Sequence, residues 1–360
     1  MEAVESIAVP EPDEDDPSST LLDLSSYQLH DLDSVELPPS LTELDLTANR
    51  LSTLDPRIGN LSHLKKLSLR QNLITDAAVL PLSSWNAISS LEELVLRDNQ
   101  LKNIPDVTVF KKLLVFDVAF NEISSLHGLS RVSDTLKELY VSNNEVAKIE
   151  EIEHFHQLQI LELGSNKLRV MENLQSLENL QELWLGQNRI KVVNLCGLKC
   201  IKKISFQSNR LTSMTGFEGC VALEELYLSH NGIAKMEGLS SLVNLRVLDV
   251  SSNKITSVDD IVNLTKYAYF SVSGSTDNLL YVLTLVDSLP RLIYCRLEDL
   301  WLNDNQIASL EGIAEAVSGS KEKLTTIYLK NNPCAKTPNY TGILREIFPN
   351  IQQIDSDIFS

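Results

Sequence analysis

Leucines and other aliphatic residues recur along the chain in one spacing, L-x-x-L-x-L-x-x-N-x-L, about every 22 residues. The stretch 158–179, LQILELGSNKLRVMENLQSLEN, shows it with Leu158, Leu161, Leu163, Asn166 and Leu168, and the next copy follows with Leu180, Leu183, Leu185, Asn188 and Ile190. The L-x-L alternation predicts a short strand with its leucines on one face. Leu161 and Leu163 are expected to point inward and Glu162, between them, to face solvent. The chain must then turn, and the Asn166 side chain is placed to bond backbone groups that a buried turn would otherwise strand. Leu168, Met171 and Leu174 close the coil from the other side.

One such unit cannot bury its leucines alone, whereas a stack of them buries a continuous core. Self-similarity at this period predicts an α/β leucine-rich-repeat solenoid, a right-handed superhelix. Its parallel sheet lines the concave face, short helices or 3-10 turns the convex face, and a C-terminal cap closes it. The asparagine position falls at residues 27, 49, 72, 99, 121, 144, 166, 188, 209, 231, 253, 305 and 332, with Tyr27 replacing asparagine in a degenerate first repeat, which predicts thirteen strands. The longer steps 72→99 and 305→332 leave room for a short helix on the convex side.

The 52-residue step from 253 to 305 breaks the rhythm. Without the segment Tyr267–Arg296 it becomes a regular step of 22, and the flanks join as a clean repeat. The codons of Lys266 and Arg296 permit a splice donor and acceptor, so the insert reads as a retained intron or gene-model error. The alternative is a true loop insertion, which solenoids accept. If the segment is foreign to the repeat, the strands around Asp249 and Trp301 are expected to be neighbours still. The domain reading is therefore an acidic disordered tail over 1–19, a solenoid over 20–332 interrupted by 267–296, and a cap over 333–360. In the cap, Leu344, Ile347, Phe348, Ile351 and Ile354 form an apolar set fit to cover the last coil.

Composition sharpens the picture. Net charge is −18, which argues against nucleic acid and anionic membranes and favours a partner with basic patches. No run of 18 apolar residues and no apolar leader is present, so neither a membrane span nor secretion is expected. Five cysteines without a paired framework fit reduced thiols in cytosol or nucleus. There is no phosphate-binding glycine loop. Cys196 and Cys200 lack a second pair at metal spacing, and no Ser, His and acid arrangement suggests a triad. The sequence thus predicts no enzyme, cofactor or metal.

The residue between the two inward strand positions reads Asp23, Asp45, Ser68, Val95, Asp117, Tyr140, Glu162, Trp184, Ser205, Tyr227, Asp249, Trp301 and Tyr328. Two residues earlier on the same face stand Glu43, Glu93, Glu138, Glu182, Glu225 and Asp299. The prediction is a continuous acidic sheet carrying solvent-facing aromatics, the composition of a protein interface.

The wording of the repeats, in NGIAKMEGLSSLVNLRVLDVSSNKI, LQILELGSNKLR, ELYLSHNGI and LEDLWLNDNQ, resembles the leucine-rich-repeat regulatory subunits of type-1 protein phosphatase (the regulatory subunit 7 family) over about residues 40–266 and 297–359. The resemblance implies a concave face that grips the phosphatase catalytic subunit on helices away from its active site. It also implies work with a small inhibitor protein in phosphatase assembly and mitotic control, in nucleus and cytoplasm. Carried onto this chain, the implied contacts are Asp117, Tyr140, Glu162, Trp184, Asp249, Asp299, Trp301 and Tyr328. Tyr140 and Trp184 stand where the family often has Phe, and Asp299 where it has Glu. The alternative is a repeat adaptor for another assembly, spliceosomal or ciliary.

Overall fold

The computed structural model describes residues 20–195, 198–239, 241–256, 297–311, 313, 317 and 320–359. The predicted tail over 1–19, the insert Tyr267–Arg296 and Cys196 lie outside them. The chain divides into two compact units, Met1–Asn166 and Lys167–Ser360.

In the first unit, seven strands of three residues each follow the predicted register: β1 (Leu21–Asp23), β2 (Glu43–Asp45), β3 (Lys66–Ser68), β4 (Glu93–Val95), β5 (Val115–Asp117), β6 (Glu138–Tyr140) and β7 (Ile160–Glu162). Each pairs in parallel with the next, without a crossover. The central residue of each from β2 onward (Leu44, Leu67, Leu94, Phe116, Leu139, Leu161) is buried. Successive leucines therefore form one core stripe, and the flanking strand residues form the open face. The long 72→99 step carries 3-10 segments at Leu80–Ser84 and Asn86–Ile88.

Asparagine rungs hold the turns. Asn144 is buried. Its Nδ2 donates to the carbonyls of Val118, Val141 and Ser142 at 3.0, 3.1 and 3.2 Å, and its Oδ1 accepts the Ile123 N–H at 2.9 Å. One side chain thus satisfies backbone of its own turn and of the preceding repeat. The residue before each rung takes a left-handed conformation, usually small or polar; Phe120, at φ 54°, is the bulky member of this set.

In the second unit, β8 (Glu182–Trp184), β9 (Lys203–Ser205), β10 (Glu225–Tyr227), β11 (Val247–Asp249), β12 (Asp299–Trp301) and β13 (Thr326–Tyr328) continue the same pattern. β11 and β12 pair directly, Asp249 beside Trp301. Asn305 Nδ2 reaches the Val250 carbonyl at 3.0 Å and its Oδ1 accepts the Ile255 N–H at 3.0 Å. These flanks of the long step therefore build successive rungs. The expected convex helix of the 305→332 step falls on a stretch that lies partly outside the described residues.

The C-terminal end departs from the thirteen-strand expectation. After a helix α1 (Tyr340–Ile347) the chain returns as a parallel strand β14 (Gln353–Ile354) beside β13, then as an antiparallel strand β15 (Asp357–Ile358). Asp355 closes the end of the sheet: its Oδ1 accepts the N–H groups of Leu329 and Lys330, both at 2.8 Å, and its Oδ2 accepts the Tyr340 hydroxyl at 2.9 Å. Leu344, Phe348, Ile351 and Ile354 are buried beneath this cap. A two-residue, acid-bearing final strand leaves little edge for further pairing.

Candidate protein interface

Strand alternation places residues two apart on the same face. In β6, β8 and β10 those residues are a glutamate and an aromatic, and each pair is bonded. The Tyr140 hydroxyl donates to Glu138 Oε2 at 2.7 Å, the Trp184 indole N–H to Glu182 Oε2 at 3.1 Å, and the Tyr227 hydroxyl to Glu225 Oε2 at 2.9 Å. Each ring is thus half-buried and fixed by its own strand, less solvent-facing than the sequence suggested. Burial and the neighbouring glutamate push both phenols above the ordinary tyrosine range.

In the first unit, Tyr140 pairs across the sheet with Asp117 on one side and Glu162 on the other. Asp117 is half-buried. Its Oδ1 accepts the Ala119 N–H at 2.8 Å and its Oδ2 lies 3.7 Å from Arg97. Burial raises its pKa, against the pull of that N–H and of Arg97. Arg97 also lies over the Phe120 ring, 4.5 Å from its centroid, and Phe120 is exposed.

In the second unit, Trp184 and Tyr227 stand on either side of Ser205 in the sheet. Ser205 is small and buried, so the two rings lean together above it, centroids 6.3 Å apart and 22° from parallel. Further along, the Trp301 and Tyr328 rings meet edge to face at 5.4 Å, and Gln353 Nε2 donates to the Tyr328 hydroxyl at 2.7 Å. Asp299 is one methylene shorter than Glu182 and Glu225, and no hydrogen bond links it to the Trp301 indole. Trp301 is 36% exposed.

Two expectations are corrected. The row of acids is interrupted: Lys66 stands between Glu43 and Glu93, at 3.5 and 4.0 Å, and Lys203 between Glu182 and Glu225, at 3.9 and 3.5 Å. Asp249 is only 2% exposed. Its oxygens accept the Ser251 N–H, the Ser251 hydroxyl and Gln207 Nε2 at 3.0, 2.6 and 3.3 Å, so it caps a turn instead of presenting a carboxylate. Asp45 and Asp117 cap their turns in the same way, through the N–H two residues on. Tyr227, Arg97 and Lys203 were not among the eight implied contacts. The signal for Lys203 was its strand position, level with Glu182 and Glu225.

Comparison with known proteins agrees with the fold. Residues 39–78 match the family profile "Leucine rich repeat" and residues 221–263 the profile "Leucine Rich repeats (2 copies)". An Arabidopsis thaliana protein named "Protein phosphatase 1 regulatory inhibitor subunit PPP1R7 homolog" is 68% identical over 362 residues, covering 95% of each chain. The "Protein phosphatase 1 regulatory subunit SDS22" of Schizosaccharomyces pombe is 38% identical over 64 residues, which cover 17% of this chain and 19% of that protein. Among solved structures, a Listeria monocytogenes internalin superposes with a TM-score of 0.66 at 21% identity, covering 89% of this chain and 88% of its own. A Leptospira interrogans leucine-rich-repeat protein does so with 0.60 at 22%, covering 92% and 94%. These two similarities establish the fold alone.

Proposed function

The chain belongs to the leucine-rich-repeat family of protein phosphatase 1 regulatory subunits, and from that premise we propose that it binds the catalytic subunit of type-1 protein phosphatase through the open sheet faces of its two units, without catalysis of its own. The supporting observation is the fixed aromatic set on an acidic background. Trp301 holds an indole at the surface against Tyr328. Rigid aromatics in a polar surround are the usual anchors of protein recognition. The contacts offered by the first unit are Tyr140 and Glu162, with Asp117 in support; those of the second are Trp184, Asp299, Trp301 and Tyr328. Asp249 contributes by shaping its turn. Excess negative charge favours a basic patch on the partner and speeds encounter at low salt.

Calorimetry between the full chain and the purified phosphatase catalytic subunit tests this reading. A saturable complex is expected, weakened by Trp301→Ala and by Trp184→Ala. Absence of a complex, or a complex indifferent to both substitutions, overturns it. Adding a small phosphatase inhibitor protein to the preformed complex tests whether a third member joins.

A further inference from the structure

Six residues on β8, β9 and β10 form two rows of three. Glu182, Lys203 and Glu225 are paired across the strands in one row, and Trp184, Ser205 and Tyr227 in the other. Within each outer strand the glutamate and the aromatic are bonded to each other. Each glutamate therefore has one oxygen committed to a ring, and its other oxygen, Oε1, faces Lys203 Nζ, at 3.9 Å from Glu182 and 3.5 Å from Glu225. The lysine closes a chain that runs from indole to carboxylate to ammonium to carboxylate to phenol.

Two glutamates facing one another across a single strand repel, and each could swing toward water. An ammonium between them removes the repulsion and gives both a reason to stay. Exposed ion pairs are individually weak, but a charge shared by two partners that are already hydrogen-bonded acts on a network. Ser205 supplies the space into which the rings lean.

We infer that Lys203 is a positioning residue for recognition: seated between Glu182 and Glu225, it fixes the Trp184–Tyr227 pair as an apolar anchor and turns this part of the face toward an apolar patch of the partner. The basic patch of the partner then belongs opposite acids not engaged in this way, such as Glu162 and Asp299. The inference rests on the phosphatase-binding reading for its partner, though the brace itself is a property of the free chain.

A charge argument and a positioning argument give opposite forecasts for Lys203→Met. Removing a cation from an acidic face should help a basic partner if charge alone matters. If Lys203 positions the rings, the complex should fall apart faster. The test uses the full-length protein in two measurements. One is the indole N–H resonance of Trp184, assigned with Trp184→Phe, and the other is association and dissociation with the type-1 phosphatase catalytic subunit. Lys203→Met is expected to move or broaden the Trp184 resonance and to raise the dissociation rate about fivefold, with an association rate unchanged or higher. Lys203→Arg should restore both. An unchanged resonance, an unchanged dissociation rate with faster association, or failure of Lys203→Arg to rescue would each overturn the inference. If the unmodified chain does not bind the phosphatase, the proposed function fails, while the resonance still decides whether Lys203 holds the rings. Should Lys203→Met lower the melting temperature broadly, Lys203→Gln, which keeps a polar group, replaces it in both measurements.

Discussion

The open faces of the two units are written on the same strand template and come out differently. In the first unit the Tyr140–Glu138 pair stands apart: Glu138 has Val115 and Ile160 as its neighbours across the sheet, so among the described residues no cation is level with it on the adjoining strands. In the second unit two such pairs flank Lys203 and Ser205, and the rings meet. The template decides where a side chain stands. Its cross-strand neighbours decide whether an aromatic is a single anchor or half of a braced pair. The aspartates show the same contrast in degree, Asp117 mostly buried but still reached by Arg97 and Asp249 wholly enclosed.

The two faces differ in their side chains alone only if the scaffold beneath them is equivalent, and the largest expected effects lie there. Asn144 and Asn253 carry equivalent rungs. Asn253 donates to Leu228, Val250 and Ser251 and accepts from Ile233. Replacing either by Ala leaves buried backbone groups unpaired and should cost about 3 kcal/mol. Denaturant melts of Asn144→Ala and Asn253→Ala should agree within about 1 kcal/mol. A wide gap would mean that the units differ in their cores, and the contrast between faces would need another origin.

Next in size is binding. Trp301→Ala should weaken the phosphatase complex by about 2 kcal/mol or more, as expected of a hot spot. Tyr140→Ala in the first unit should cost less, because a lone half-buried ring offers less area than an exposed indole packed on a tyrosine. Calorimetry on the two variants reads the difference directly, and a larger loss at Tyr140 would reverse the ranking of the faces.

Much of this was legible from residue order. Buried leucines, strand positions and the asparagine rungs follow from a period of about 22, because each rung satisfies a backbone need that recurs in every turn. The Glu-x-aromatic bonds were within reach too, since strand period two puts both residues on one side. What escaped depended on neighbours across strands. Lys203 matters only because register sets it between two glutamates. The capping role of Asp45, Asp117 and Asp249 was signalled by an aspartate two residues ahead of the turn N–H it accepts, but acidity drew the reading toward a binding role. The final strands were hidden because Ile351 and Ile354 read as an amphipathic cap and no asparagine stands at the register position of that last copy, Asp355 being level with Tyr328.

A smaller effect sharpens the role of Lys203. Tyr140→Phe and Tyr227→Phe each remove a hydroxyl bonded to a carboxylate, at a cost of about 1 kcal/mol. Glu225 keeps Lys203 afterwards, whereas among the described residues no cation faces Glu138 across the sheet. Tyr140→Phe should therefore cost somewhat more in a denaturant melt. Equal costs would mean that Lys203 gives Glu225 no support.

The smallest expected effect lies away from both faces, in the first unit, and depends on pH. Glu151, itself left-handed at φ 57°, reaches back one repeat. Its Oε2 accepts the N–H of Gly128 at 2.8 Å and the N–H and hydroxyl of Ser130 at 3.2 and 2.8 Å, while Oε1 lies 2.6 Å from His127 Nδ1. The Ser130 hydroxyl, the Gly128 N–H and His127 hold its carboxyl down to about 2, against an ordinary 4.5. A carboxyl with a depressed folded pKa binds fewer protons folded than unfolded. Its contribution is therefore present above the unfolded value of 4.5 and is lost as pH falls from there toward 2. In the second unit the comparable contact is local, Glu218 to the Gly216 N–H only two residues away, so it ties no repeats together. Acidification between pH 4.5 and 2 should thus open the repeat around Gly128 before its counterpart around Gly216, as read by amide hydrogen exchange. Glu151→Gln should abolish that difference, since an amide at this position does not titrate. Early opening that persists in Glu151→Gln would assign the acid sensitivity of the first unit to another group.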